Sequence, residues 1–542
     1  MNTNIRRRDF LKASAGAAAI LAPCAPPLFG QNDQAAIDVF PEQGLGTISR
    51  NIYGHFTEHI GGVIYDGVWV GENSKIPNTG GIRKAITDGL RRIHASVIRW
   101  PGGCFADSYD WRDGIGPRAR RPTRTNFWEV TPDAKRLKEK GAQLFESNAF
   151  GTDEFVRFCK LSGAEPYLAG NLRSLPALAL DQWVEYCNSP AGSTTYARMR
   201  EAGGSREPFG VRYWGVGNES WGCGGNFRPE DYATEFRRYT DWIPSYGEDL
   251  YLIGSGPSGD DTEWTRRFFE QIFQGSHPYR NRHFRGWSVH HYARSDGEAV
   301  RFNTADWYEL LKSADQMERI ITDQWSVLGN YDRQRRIKLV VDEYGPWHRS
   351  GTEIDPTHLF GQQITVRDAL ATALTLDCFN RNPDKVAMAN CAQLVNNINA
   401  LFLAHEEKCW TTPNFHVFEM YAAHQNALAV RASFGAPEIT DTGSEDPFWG
   451  LNGSASINGT TLSITAVNPS TDTPRETRIV LHGAKAASAR ASILTGDDIH
   501  AHNTYERQDA VSIKPAEVRP EGHVLHFQFP PACVALIQAE LA

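Results

Sequence analysis

The sequence has no long apolar run: the best candidate, near residues 13–22, offers only about ten weakly apolar positions against the roughly 20 that cross a bilayer. Stable membrane insertion is therefore not expected. Cysteine is sparse, nine in 542 residues, and irregularly spaced, without the paired CxxC pattern of a zinc site. No metal and no organic cofactor is suggested, and the sequence leaves the cysteine pairing open. Nor is there an excess of positive charge: 56 Lys and Arg against 64 Asp and Glu give −8, so nothing attracts the chain globally to phosphate backbones. Nucleic acid is not an expected partner. Low-complexity tracts are missing beyond the N-terminus, and 41 % apolar with 22 % charged residues excludes general disorder.

What is present points to two folded units, because the chain exceeds the roughly 250 to 300 residues at which a single core stops growing. Fifteen Trp and 11 % aromatic residues supply flat faces that fill cores and also stack on the C–H faces of sugars. At the N-terminus Arg6-Arg7-Arg8-Asp9-Phe10-Leu11-Lys12 precedes an Ala-rich run and Pro23-Cys24. This resembles a twin-arginine export signal, which predicts residues 1–30 as a signal peptide and a periplasmic or extracellular protein.

From residue 51 onward, eight short β-like segments alternate with helical periodicity, at 52–58, 95–102, 165–171, 211–218, 250–255, 286–292, 338–343 and 386–393. Eight parallel strands close a (β/α)₈ barrel. Ile82, Ile86, Leu90 and Ile93 mark one helix face, and Tyr232, Phe236, Tyr239 and Trp242 another behind Pro229. After about residue 410 short alternating segments at 461–467, 477–481, 491–494 and 523–529 read as a β-sandwich. The predicted division is a barrel at 51–408 and a sandwich at 409–542, with the strand in 31–50 joining the sandwich.

Barrel chemistry sits where strands end, so the polar residue closing each apolar run is the one to inspect. These are Glu58, Asn218-Glu219, His290 with Tyr292, Glu343 and Gln393. The fourth and seventh runs end in Glu219 and Glu343, two carboxyls converging from opposite sides of a barrel mouth. Glycosidic cleavage needs such a pair, one to protonate the leaving oxygen and one to meet the oxocarbenium-like carbon.

The run Trp214-Gly215-Val216-Gly217-Asn218-Glu219-Ser220-Trp221-Gly222-Cys223-Gly224-Gly225 resembles the acid/base motif of family 51 of the glycoside hydrolases, the α-L-arabinofuranosidases. Asn51-Ile52-Tyr53-Gly54-His55-Phe56-Thr57-Glu58-His59, Arg99-Trp100-Pro101-Gly102-Gly103 and Ala392-Gln393-Leu394-Val395-Asn396 are similar to its first, second and eighth strands. The resemblance implies a retaining exo-enzyme on arabinoxylan, arabinan and their oligosaccharides, with Glu219 as acid/base and Glu343 as nucleophile. It further implies a sugar pocket of Glu58, Cys104, Asn218, His290, Tyr292, Trp347 and Gln393, and a homo-oligomer, commonly a hexamer. Two positions depart from the family pattern. Cys104 stands where Asn is also common and would bind a sugar hydroxyl only weakly. Tyr344-Gly345-Pro346 follows the nucleophile where many members have Trp, which bears on the aglycone-side walls. The basic stretch 118–124 and Trp128 lie in a long loop after the second strand, where substrate entry is shaped. Rival readings are an endo-β-1,4-glucanase or β-xylosidase of the same family, and a non-catalytic carbohydrate-binding protein.

Overall fold

The computed structural model describes residues 35–130, 145–273, 279–349, 352 and 358–542, so the expected export segment lies outside the described residues. The first strand, β1 (Ala35–Thr47), belongs to a C-terminal sheet. Then come eight strands that pair in parallel and close: β2 (Gly54–Phe56), β3 (Val97–Trp100), β4 (Glu165–Gly170), β5 (Tyr213–Val216), β6 (Tyr251–Gly254), β7 (Phe284–Ala293), β8 (Lys338–Pro346) and β9 (Val386–Cys391), the last returning to β2. These are the eight expected segments. Below the mouth the barrel is filled by Val97, Tyr167, Tyr213, Ile253, Val340 and Met388, each from a different strand.

The helices lay their apolar faces on the barrel. In α1 (Lys84–Arg92), Ile86 and Leu90 are buried, while Ile82 lies in a short strand before it. In α2 (Thr152–Ser162), Phe155, Val156 and Phe158 are buried. In α3 (Pro229–Thr240), Pro229 opens the helix with Glu230 and Asp231 in the first turn, and Tyr232, Phe236 and Tyr239 turn inward. The expected continuation to Trp242 fails: the helix ends at Thr240, and Trp242 has φ +63° and is 94 % exposed. Pro244 explains this, since it disfavours helical backbone at Ile243 just before it.

The second domain adds β10 (Leu428–Gly435), β11 (Asn452–Asn458), β12 (Thr461–Asn468), β13 (Arg475–Leu481), β14 (Ala486–Thr495), β15 (Ser512–Ala516), β16 (Arg519–Glu521), β17 (Val524–Phe529) and β18 (Cys533–Leu541). With β1 they form one ten-stranded sheet, ordered β15-β14-β18-β12-β11-β10-β1-β13-β17-β16. Period-two alternation places Ile37, Val39, Leu462, Ile464, Leu525, Phe527 and Ile537 in one apolar cluster.

Between barrel and sheet runs α4 (Val366–Arg381), buried from Val366 through Asn380 and therefore not amphipathic. Its Asp377 joins the domains: Oδ1 accepts from Ser454 Oγ at 2.6 Å and Thr465 Oγ1 at 2.5 Å, and Oδ2 from the Tyr421 hydroxyl at 2.7 Å. Among the described residues no helix is long and apolar enough to cross a membrane.

Candidate active site

A bulge sets the chemistry of β8. Val289 pairs with Val341 but His290 pairs with Glu343, so Asp342 is an extra residue in the ladder. In a regular strand neighbours point to opposite faces; the bulge lets both Asp342 and Glu343 approach Arg99. Arg99, on β3, donates to Glu343 Oε1 at 2.7 Å and to Asn218 Oδ1 at 2.7 Å, with Nε 3.8 Å from Asp342 Oδ2. Asp342 also accepts from the Tyr167 hydroxyl at 2.9 Å and from Asn390 Nδ2 at 3.2 Å. A buried guanidinium is costly unless its charge and its fork are both used, and here they are.

Glu343 is buried. Burial alone would raise its pKa, but the charges of His290 and Arg99 and the Tyr292 hydroxyl, 2.8 Å from Oε2, hold it below the ordinary value. It is therefore a buried, ionised carboxylate. Burial would push His290 down, but Glu343 and Glu219 outweigh that and raise it. Its Nδ1 lies 3.0 Å from Glu219 Oε1 and 3.6 Å from Glu343 Oε2, so one imidazole bridges the carboxylates. Ligand atoms of Glu219, His290 and Glu343 all fall within 4.8 Å of one another.

Glu219 follows β5 with φ +39°, a left-handed backbone uncommon outside glycine. Asp107 steadies the turn before it. Its Oδ2 accepts from Asn218 N at 2.9 Å, and its Oδ1 from Leu172 N at 2.7 Å and Arg173 N at 3.1 Å, joining the loops after β3, β4 and β5. Burial raises Asp107 to about 7 although those N–H groups pull the other way. Gly224 permits the return of the loop, because a Cβ there would meet Asn218 O at 1.7 Å.

Opposite stands Glu58, after β2. Its Oε1 accepts from Gly103 N at 3.1 Å and Phe105 N at 3.0 Å, and its Oε2 from Gln393 Nε2 at 2.8 Å. Burial, then the charge of Glu343, pushes it up to about 8, so much of it keeps a proton at neutral pH. Gln393 Oε1 is buried and has no donor among the described residues, so it offers an acceptor to a ligand hydroxyl. Tyr292 packs edge-on against Trp347 at 5.1 Å, Trp347 against Phe360 at 5.0 Å, and Phe360 against Trp128 at 5.9 Å, making an aromatic wall from the mouth to the loop after β3. Arg294 covers Trp347 at 4.3 Å.

The structure thus gathers Glu58, Asn218, Glu219, His290, Tyr292, Glu343 and Gln393 at one end of the barrel, with Trp347 at its rim. Cys104 is corrected: it is joined to Cys223 in a disulfide and has no thiol to offer a sugar. The basic stretch after β3 is a staple to α2, with Arg118 and Arg121 paired to Glu154 at 2.8 and 3.0 Å and Arg124 to Asp113 at 2.7 Å.

Comparison with known proteins accords with this geometry. The α-L-arabinofuranosidase 1 domain matches residues 89–301, and the α-L-arabinofuranosidase C-terminal domain matches residues 342–533. An intracellular exo-α-L-arabinofuranosidase of Bacteroides ovatus is 34 % identical over 524 residues, covering 93 % of this chain and 96 % of that protein. The structure of a GH51 arabinofuranosidase from Xanthomonas axonopodis pv. citri superposes with a TM-score of 0.86 at 32 % identity, covering 94 % of this chain and all of that one. The chain belongs to glycoside hydrolase family 51. A further similar structure, the α-L-arabinofuranosidase of Thermotoga maritima in complex with arabinose, gives a TM-score of 0.80 at 28 % identity over 94 % of this chain and 100 % of that one.

The Bacteroides relative overturns the expectation of export, since it is an intracellular enzyme. That expectation rested on the Arg6–Lys12 motif and the weakly apolar run behind it, which lie outside the described residues. Site residues whose role was not read from the sequence are Arg99, Asp107 and Asp342. A signal existed for Arg99, an arginine inside an apolar strand, which must find anionic partners. None existed for Asp107, whose partners come from two other loops.

Proposed function

We propose that the chain is a retaining, exo-acting α-L-arabinofuranosidase that removes terminal non-reducing α-L-arabinofuranosyl units from arabinoxylan, arabinan and related oligosaccharides by double displacement. One observation carries the reading: Glu219 and Glu343 approach within 4.8 Å across His290, near the roughly 5 to 5.5 Å of retaining enzymes and far below the roughly 6.5 to 9.5 Å that admits a water between inverting carboxyls. Glu343, held ionised by His290, Arg99 and Tyr292, attacks the anomeric carbon. Glu219 protonates the departing oxygen and later takes a proton from water. Its Oε1 faces His290 Nδ1 and its Oε2 faces the disulfide, which donates no hydrogen. Glu58, Asn218 and Gln393 hold the sugar hydroxyls, and Tyr292 positions the nucleophile.

Proton NMR of the first-formed arabinose should show retained configuration, and inverted product would remove the mechanism. Azide should speed turnover of Glu219→Ala and leave a glycosyl azide of retained configuration, because azide needs no general base. In Glu343→Ala any azide product should be inverted. Swapped configurations would exchange the two roles. Paired assays on nitrophenyl α-L-arabinofuranoside and on cellulose and xylo-oligosaccharides separate this reading from an endo-glucanase or β-xylosidase.

A further inference from the structure

Cys104 lies on the loop after β3 and Cys223 on the loop after β5, and a disulfide joins them with Cα atoms 5.6 Å apart. Both sulfurs face one carboxylate oxygen: Glu219 Oε2 is 3.8 Å from Cys104 Sγ and 3.5 Å from Cys223 Sγ. The three atoms lie within 4.8 Å of one another. A disulfide sulfur is a poor ligand, whereas a thiolate is a strong one for soft and borderline cations. We propose that reducing this disulfide creates a site for a thiophilic divalent cation of the zinc class, held by Cys104 Sγ, Cys223 Sγ and Glu219 Oε2, and that its occupation withdraws Glu219 from catalysis. The inhibition rests on Glu219 being the acid/base; the binding does not.

The geometry suits such an ion. Two sulfurs about 2.3 Å from a tetrahedral centre stand about 3.8 Å apart. Side-chain rotation on Cα atoms 5.6 Å apart reaches that separation. Three protein ligands leave a fourth position for water, as in open zinc sites. Outer contacts orient the ligands: His290 Nδ1 holds Glu219 Oε1 at 3.0 Å, and Asn218 Nδ2 points at Cys223 Sγ from 3.8 Å. The step balances. A dithiol reductant gives two electrons and two protons, the Sγ–Sγ bond becomes two thiols, and the reductant closes to its own disulfide. The cation then displaces both thiol protons to solvent. Cys159, Cys187, Cys378, Cys391, Cys409 and Cys533 are already free, so a response that requires reduction belongs to this pair among the described residues.

The test uses the full chain in oxidised form and in reduced form freed of reductant. Zn²⁺ is titrated against hydrolysis of nitrophenyl α-L-arabinofuranoside, and Cd²⁺ against the ultraviolet thiolate-to-cadmium charge-transfer band. Reduction should lower the Zn²⁺ concentration for half-inhibition by at least about 100-fold, since even outer partners of a ligand are worth 10- to 100-fold in affinity. It should also add one Cd²⁺ per chain. Cys223→Ser should lose both responses to reduction, and oxidised wild type is the same control without a substitution. Equal responses of the oxidised and reduced protein overturn the site. A cadmium band that appears on reduction without inhibition keeps the site and overturns Glu219 as acid/base.

Discussion

In the C-terminal sheet, Ile37, Val39, Leu462, Ile464, Leu525 and Ile537 are buried in one apolar cluster. At the barrel mouth Glu58, Arg99, Asp107, Asn218, His290, Asp342 and Glu343 are also buried, and every one carries a charge or a hydrogen-bonding group. The sheet gains stability from each side chain it removes from water. Each ion at the mouth instead costs desolvation that its partners only offset, so the mouth holds together as a network. Burial therefore means opposite things in the two regions. In the sheet a residue is replaceable by another of similar volume; at the mouth, a residue holds the protonation state of its neighbour.

Substitutions at four positions test that contrast, in falling order of expected effect. Glu343→Gln keeps volume and an acceptor for Arg99 but removes the anion. Turnover of nitrophenyl α-L-arabinofuranoside should fall by about 10⁴-fold or more, with the thermal unfolding midpoint within a few degrees of wild type. A comparable fall in stability would mean the carboxylate is structural.

Arg99→Met should affect both properties. Losing one donor to a catalytic anion costs about 10²- to 10³-fold in kcat, and stranding Asp342 and Glu343 costs about 3–5 kcal/mol of stability. The pH profile carries the sign. Arg99 lowers the Glu343 pKa, and activity needs that group ionised, so its removal raises the pKa and moves the acid limb of kcat/KM to higher pH. An unmoved limb would show that Arg99 acts only through packing. Arg99→Lys should recover charge without the fork, and so only part of the rate.

Ile464→Ala, in the sheet cluster, should cost about 2–5 kcal/mol in denaturant unfolding and leave kcat unchanged wherever the protein is folded. A changed kcat would mean that the sheet transmits strain to the mouth. The smallest effect belongs to Asp377→Asn between the domains. The amide keeps one oxygen for Ser454 and Thr465 and replaces the other with an N–H₂ that the Tyr421 hydroxyl can accept from, so the loss should be about 1 kcal/mol, read from the same unfolding curves. Separate unfolding of the two domains in this variant, seen by calorimetry, would make Asp377 the main tie between them.

The sequence by itself determined the eight βα units, the alternation of the sheet strands and the polar residue closing each barrel strand, because periodicities of 2.0 and 3.6 and the position of a strand end are local properties. Glu58, Glu219, His290, Glu343 and Gln393 were legible for that reason. Helix ends were less so: the apolar spacing ran on to Trp242, while Pro244 stopped the helix two residues earlier, at Thr240. Only the tertiary structure decided the rest. The bulge at Asp342 depends on the partner strand, the Cys104–Cys223 bond spans a sequence separation of 119, and Asp107 finds its three N–H partners on other loops. Arg99 sets the charge of Glu343 from 244 residues away in sequence. Coulombic and hydrogen-bond energies depend on distance in space and on the surrounding dielectric, and closing the barrel is what sets both.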